Sequence, residues 1–460
     1  MKKIILLSMI ISQLAISCSS NDDSASTDSQ SLTEQIATLI KQPYSKLTPS
    51  EQKVKLEAEA NSMLTQMDKS KTSGAIEAMQ NLGNLLSIGS IDIFNGKNDN
   101  QIEDILNVSG AYGIYTWNNS KQDWIKTTST TELKFVFPAK KNLTTNNASF
   151  SSKSVSSNIK VKIEDTYGNW IYDPKTNNYI QTPSINDSFY LPTSADATLI
   201  IDNAQAATFV ANAKYTGTVE APDESSFKMV LNDGYTYEIS GNKKPTQNTA
   251  KSSFTYNGKN LVSFTSGSTA DIDILIKDDA LIQYQGKANG LVQIMDNFII
   301  IADMDIATQT KDDQTLETSL VNPTYPDFES PNANYKAYYT AENTYNKKYS
   351  EGNTLNSNKN IKLILVSKKD GTKIADVVYH SEKGDSYPTE LPMWIVDKYN
   401  TNGGYWTTNG KGEIITIQYY DEVLYLKFND NTEVEMSAYF STGFGTLETK
   451  FEDFLKAFER

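Results

Sequence analysis

The sequence predicts an α+β protein built mostly of antiparallel β sheets, as a curved sheet or a sandwich, with an N-terminal helical unit and a C-terminal amphipathic helix. Three observations carry this. Apolar residues recur at helical spacing between residue 31 and about residue 90, short aromatic and β-branched runs broken by turn dipeptides fill most of the chain beyond residue 110, and the last residues return to helical spacing.

At the N-terminus, Lys2 and Lys3 precede a mostly apolar run from Ile4 to Ile16 that ends at Ser17. This is the form of a signal peptide over residues 1–17, and the run is too short to span a bilayer as a helix. The single cysteine of the chain, Cys18, comes directly after it. Ala15, Ile16, Ser17 and Cys18 resemble a bacterial lipobox, with Ala15 where most have Leu; the resemblance implies that Cys18 becomes the lipid-bearing first residue of the mature protein. Residues 18–30 are rich in Ser, Thr, Asp and Gln, too polar to bury anything, and read as a tether. The acidic pair Asp22 and Asp23 resembles the export signal of Bacteroidetes surface lipoproteins, which implies an outer-membrane address and leaves the surface and periplasmic faces both open.

The helical unit, residues 31–95, opens with two capping boxes. Ser31 with Glu34 starts a first helix, followed by Ile36, Leu39 and Ile40. Thr48, Pro49 and Glu51 start a second, in which Leu56, Ala60, Met63, Leu64 and Met67 line one face to an end near Met67. A third stretch holds Ile76, Met79, Leu82, Leu85 and Leu86; such stripes are core.

An antiparallel β region is expected over residues 108–307. Asp233-Gly234, Asn257-Gly258, Asp370-Gly371 and Asn409-Gly410 read as hairpin turns, the last two in the C-terminal unit. Phe298, Ile299, Ile300, Ile301 and Ala302 are apolar at every position, so that strand should be covered on both faces. Tyr112, Gly113, Trp117, Trp124, Ile125 and Thr127 recur 55 residues later as Tyr167, Gly168, Tyr172, Tyr179, Ile180 and Thr182. Each copy is followed by an apolar strand ending in proline, Phe135 to Pro138 and Phe189 to Pro192, which points to a duplicated hairpin unit.

From Thr308 to Asn334 the chain turns polar, carries Pro323, Pro326 and Pro331, and reads as a connection and domain boundary. The last unit, 330–460, starts with a helix signalled by Ser330 and Pro331, bearing Tyr335, Tyr338, Tyr339, Tyr345 and Tyr349 and stopping at Glu351-Gly352. Strands come next over Ile361 to Val366, Ile374 to Tyr379, Ile414 to Tyr420 and Val423 to Phe428, then the closing helix with Leu447, Phe451, Phe454, Leu455 and Phe458.

Composition excludes several functions. The net charge of −14 over the whole chain, with no Lys/Arg block, argues against nucleic acid as a partner. With one cysteine there is no intrachain disulfide. His380 is the only histidine, so zinc sites of several His or Cys ligands, Cys–His pairs and HExxH arrangements are excluded, and His380 reads as a strand-end residue. No cofactor motif is present, and none is expected. Asp271 with Asp273 and Asp303 with Asp305 alternate as same-face acids on strands would. The 26 Tyr and 5 Trp suit either cross-strand packing or stacking on sugar rings; Trp117, Trp124, Trp170, Tyr172 and Tyr179 are the candidate binding residues.

Lipobox, acidic tether, the Thr48-Pro49-Ser50-Glu51-Gln52-Lys53 segment, the Trp117 to Pro138 block and the late hairpins together resemble large Bacteroidetes-type outer-membrane lipoproteins. The resemblance implies an envelope address and supplies no activity or site residues. The expected function is therefore a lipid-anchored envelope protein with a non-catalytic binding or structural role, toward a polysaccharide or an envelope protein. The alternatives are a carrier of apolar ligands in a curved sheet and a carboxylate-pair glycoside hydrolase.

Overall fold

Both predicted capping boxes form. Glu34 and Glu51 each accept from the backbone N–H of their cap residue, Ser31 and Thr48, at 2.8 Å. The helices they start are α1 (Leu32–Ile40) and α2 (Pro49–Asp68); a third, α3 (Gly74–Ile88), comes after them, with Ser73 Oγ accepting from Ile76 N–H. The structure, a computed structural model, describes residues 31–88, 105–106, 108–165, 170–181, 185–245 and 247–440. The expected signal peptide, Cys18, the expected tether, the end of the predicted helical unit and the expected C-terminal helix lie outside the described residues.

The β region is one continuous 16-stranded ladder. It begins with β1 (Gly113–Asn118), β2 (Asp123–Thr127), β3 (Leu133–Phe137) and β4 (Ala148–Asp165). A separate hairpin, β5 (Trp170–Asp173) and β6 (Asn178–Gln181), interrupts it before β7 (Ile185–Ile201). The ladder goes on through β8 (Ala204–Lys214), β9 (Glu224–Leu231), β10 (Tyr235–Asn242), β11 (Asn248–Tyr256), β12 (Lys259–Ser268), β13 (Ala288–Ile294) and β14 (Phe298–Met304). After two helices come β15 (Ile361–Ser367), β16 (Thr372–Glu390), a second separate hairpin of β17 (Met393–Val396) and β18 (Gly404–Thr407), then β19 (Ile414–Lys427) and β20 (Glu433–Glu435). Neighbours are antiparallel except β1 and β3, which run parallel. The edges are short and charged at β2 and β20, which limits edge-to-edge growth.

Turn chemistry explains much of the meander. Asn257 and Gly258 take φ of 49° and 73°, the I′ turn expected between β11 and β12. Asp202 and Asn203 do the same between β7 and β8 without a glycine. Asn409-Gly410 is not a hairpin turn, a correction. β18 and β19 do not pair, and the loop there cradles Glu390, whose carboxylate accepts from the N–H groups of Asn409, Gly410 and Gly412 and is held below the usual range, chiefly by the Gly412 bond.

The β14 strand is covered on both faces. Phe298 and Ile300 pack in the cluster containing Leu56 of α2, while Ile299 and Ile301 pack with Ile36 of α1. The two helices thus lie on opposite faces, and their connection passes beside Lys373, where Ser45 N–H donates to Lys373 O and Lys373 N–H to Pro43 O, both at 2.8 Å. The end of α2 and all of α3 pack with strands from β1 to β12 in the largest core.

Three expectations fail between residues 306 and 360. The polar stretch from Thr308 is not a plain connection; it begins as α4 (Ile306–Ser319), capped by Asp305 and with no buried residue. It is held to α5 (Tyr335–Asn360) by polar pairs, Asp312 with Lys359 and Asn360, and Asp313 with Asn356, so no apolar stripe announces it. Nor does α5 stop at Gly352. A Cβ there would lie 2.4 Å from the Leu316 side chain, so this glycine admits α4 at close range instead of ending the helix. The predicted boundary near 308–334 also falls within one sheet, since β14 pairs with β15 along its whole length.

Candidate functional site

Two hairpins of one design sit in different surroundings. In β1–β2, Trp117 faces Trp124 across the ladder; 55 residues on, in β5–β6, Tyr172 faces Tyr179 in the same register. The ring centroids are 5.2 Å apart at 70° in the first pair and 5.5 Å apart at 64° in the second, both edge-to-face, as ring quadrupoles favour. The turns match as well. Asn118 Oδ1 accepts from Ser120 and Lys121 N–H, Asp173 Oδ1 accepts from Lys175 N–H, and Gln122 and Asn177 both take positive φ, 51° and 56°. Register, turn and ring geometry correspond between the two hairpins, and one further correspondence was missed by sequence reasoning: Tyr115 is matched by Trp170. Each hairpin therefore presents three aromatic rings on one face.

Their burial separates them. Tyr115, Trp117 and Trp124 are 2 %, 3 % and 9 % exposed, with Phe135 of β3 stacked on Tyr115 at 5.2 Å and edge-on to Trp124 at 5.6 Å. Helix α3 closes this face, and the Trp124 indole N–H donates to Leu85 O at 3.1 Å. Trp117 and Trp124, expected among the binding residues, are core. Trp170, Tyr172 and Tyr179 are 58 %, 47 % and 67 % exposed. The reason is position: β1 is flanked by β3 and roofed by α3, whereas β5–β6 stands as its own two-stranded sheet beyond the paired ends of β4 and β7.

The exposed hairpin is braced at its turn. Tyr172 Oη donates to Asn177 Oδ1 at 2.5 Å and Thr176 Oγ1 to Asp173 Oδ2 at 2.9 Å. Bonds from Lys175 N–H and then from Thr176 hold the Asp173 carboxyl below its usual range. The opposite face carries Ile171 and Ile180, also exposed. The arrangement offers flat apolar rings and no acid–base pair.

The other candidates have structural work. Asp271 caps a single helical turn and Asp273 pairs with the nearly buried Lys243, so neither is on a strand. Asp305 leaves β14 to cap α4 and pairs with Lys287 at 3.1 Å, which lowers its pKa; Asp303 alone stays in the strand. His380 is mid-strand in β16 rather than at a strand end, with Nε2 2.7 Å from Glu433 and its ring against Tyr425. Of the five α5 tyrosines singled out from the sequence, only Tyr335 is buried. It packs on Trp406, which faces Trp394 across β17–β18 and donates its indole N–H to Ser330 O. Among the described residues no group of three or more His, Cys, Asp or Glu is placed to hold a metal ion, and no helix is long and apolar enough to cross a membrane. Comparison with protein-family models, with curated proteins and with solved structures gives no match to this chain.

Proposed function

We propose that the chain is a lipid-anchored envelope lipoprotein, held to the outer membrane through Cys18, that binds rather than catalyses, and that its binding face is formed by Trp170, Tyr172 and Tyr179. One observation carries the reading: the same three-aromatic face that is buried as core in the first hairpin is left open to solvent in the second. A contiguous exposed apolar patch on a folded protein marks an interaction surface more often than an accident of packing. Flat rings with hydroxyl and indole groups at their rims suit the apolar face of a sugar ring or the apolar surface of an envelope protein. The tether fits such a role, since it would hold the face at a distance from the membrane.

The test is retention of the full chain on a panel of polysaccharides and envelope proteins, beside a Trp170→Ala/Tyr172→Ala/Tyr179→Ala variant. The parent is expected to be retained and the variant lost, with unfolding midpoints unchanged. Equal retention of both, or none of either, would remove this face as the binding site.

A further inference from the structure

Among the described ion pairs, Lys243 is the least exposed lysine, its side chain 10 % exposed, and the only one with two carboxylates in reach. It comes directly after β10, where its backbone N–H donates to Asp223 O at 2.7 Å; the two residues extend the β9–β10 ladder by one position, and Asp223 Oδ1 lies 3.5 Å from Nζ. The second carboxylate, Asp273, arrives from the single helical turn after β12, makes the closest contact to Nζ and is half-exposed. Ala221 O accepts from Nζ at 3.2 Å. Asp223 Oδ2 is buried and has no hydrogen-bond partner among the described residues.

We propose that these three side chains form an intramolecular isopeptide bond between Lys243 Nζ and Asp273 Cγ, with Asp223 carrying the proton. An ammonium has no lone pair, so a base must stand beside it, and Asp223 takes one proton from Nζ. The amine nitrogen then attacks Cγ of Asp273 and the C–N bond forms. The proton held by Asp223 and a second one from nitrogen leave on one Asp273 oxygen as water, the third stays as the amide N–H, and Asp223 is regenerated. Ammonium plus carboxylate thus gives amide plus water, with no oxidant or other reactant. Free residues in water do not condense this way; two groups held in contact by a fold gain effective molarities of about 10⁵ M or more when well oriented. The near burial of Lys243 keeps water from the nitrogen, and the half-exposed Asp273 gives the released water an exit. Lys373, the next most buried, has one carboxylate, three residues away on its own strand, and its Nζ lies over the Tyr44 ring, so the proton carrier is missing there. The bond would join residues 30 apart and close β11 and β12 into a covalent loop.

The test is tryptic peptide mapping of the full chain by mass spectrometry. The expected product joins the peptides bearing Lys243 and Asp273 and is lighter than their sum by one water. Lys243→Arg keeps the charge without a nucleophilic amine, and Asp273→Ala removes the acceptor from a half-exposed turn; both should fold and give the two peptides separately. Asp223→Asn should fold and join them slowly or not at all. Lys243→Arg should also unfold at lower urea than the parent, whose unfolded chain stays closed by the bond. Separate peptides from the parent overturn the inference and leave an ordinary ion pair. A joined product at parental yield in Asp273→Ala or in Asp223→Asn also overturns it, the first by placing the bond on another acceptor and the second by removing the proton carrier.

Discussion

At the level of single residues, Trp124 and Tyr179 occupy equivalent positions in two copies of one hairpin and should answer substitution in opposite ways. Trp124→Ala empties a site in the main core and is expected to cost about 3–5 kcal/mol. Tyr179→Ala removes a ring that is mostly in water, with an expected change within about 1 kcal/mol, less than the loss at Trp124. Urea unfolding of the two variants checks both. The matched pairs Trp117 with Trp124 and Tyr172 with Tyr179 were legible in the sequence because their spacing repeats, while Tyr115 with Trp170 was passed over; which pair is core was not legible, because local spacing does not show that α3 packs over the first hairpin. Glu422 gives a second residue-level test. Burial raises its carboxyl pKa, opposed by a hydrogen bond from Asn353 and aided by nearby Asp313. A carboxyl whose folded pKa is raised costs nothing below its unfolded value, and stability is lost as pH rises from there through the folded value. Glu422→Gln should therefore raise the urea midpoint at pH 7 and leave it unchanged near pH 3.5.

At the level of elements, α1 and α2 were legible to within a residue or two because their capping boxes are local chemistry, and the I′ turn at Asn257-Gly258 for the same reason. Helix α4 and the last turns of α5, beyond Gly352, were not, because they are held by Asp, Asn and Lys pairs that leave no periodic apolar stripe. Asparagines of α5 also complete the sheet. Asn343 bonds Thr416 O and Gln418 N–H, and Asn358 bonds Tyr379 O and N–H, each at 2.8 Å, at backbone positions without a ladder partner on that side. Asn343→Ala and Asn358→Ala should each cost about 1 kcal/mol. The two sites are far apart in the helix, so the losses should add in the double variant.

At the level of the whole molecule, one ladder runs through the boundary that the polar, proline-bearing stretch suggested. Composition marks a connection, but it cannot show that the strands on either side pair, since β14 and β15 are separated by both α4 and α5. A fragment ending at Ser319 would leave Phe298 to Ala302 as an uncovered apolar edge and should aggregate instead of folding, which size-exclusion chromatography would show as loss of the monomer peak. The central claim concerns the division of labour between the duplicated hairpins: one copy is for the fold, the other for binding. It is tested most directly by measuring unfolding midpoint and ligand retention in the same samples of two triple variants, Tyr115→Ala/Trp117→Ala/Trp124→Ala and Trp170→Ala/Tyr172→Ala/Tyr179→Ala. The account predicts that the first loses the fold, while the second keeps its midpoint and loses retention; a second variant that unfolds, or that is retained as well as the parent, would contradict it.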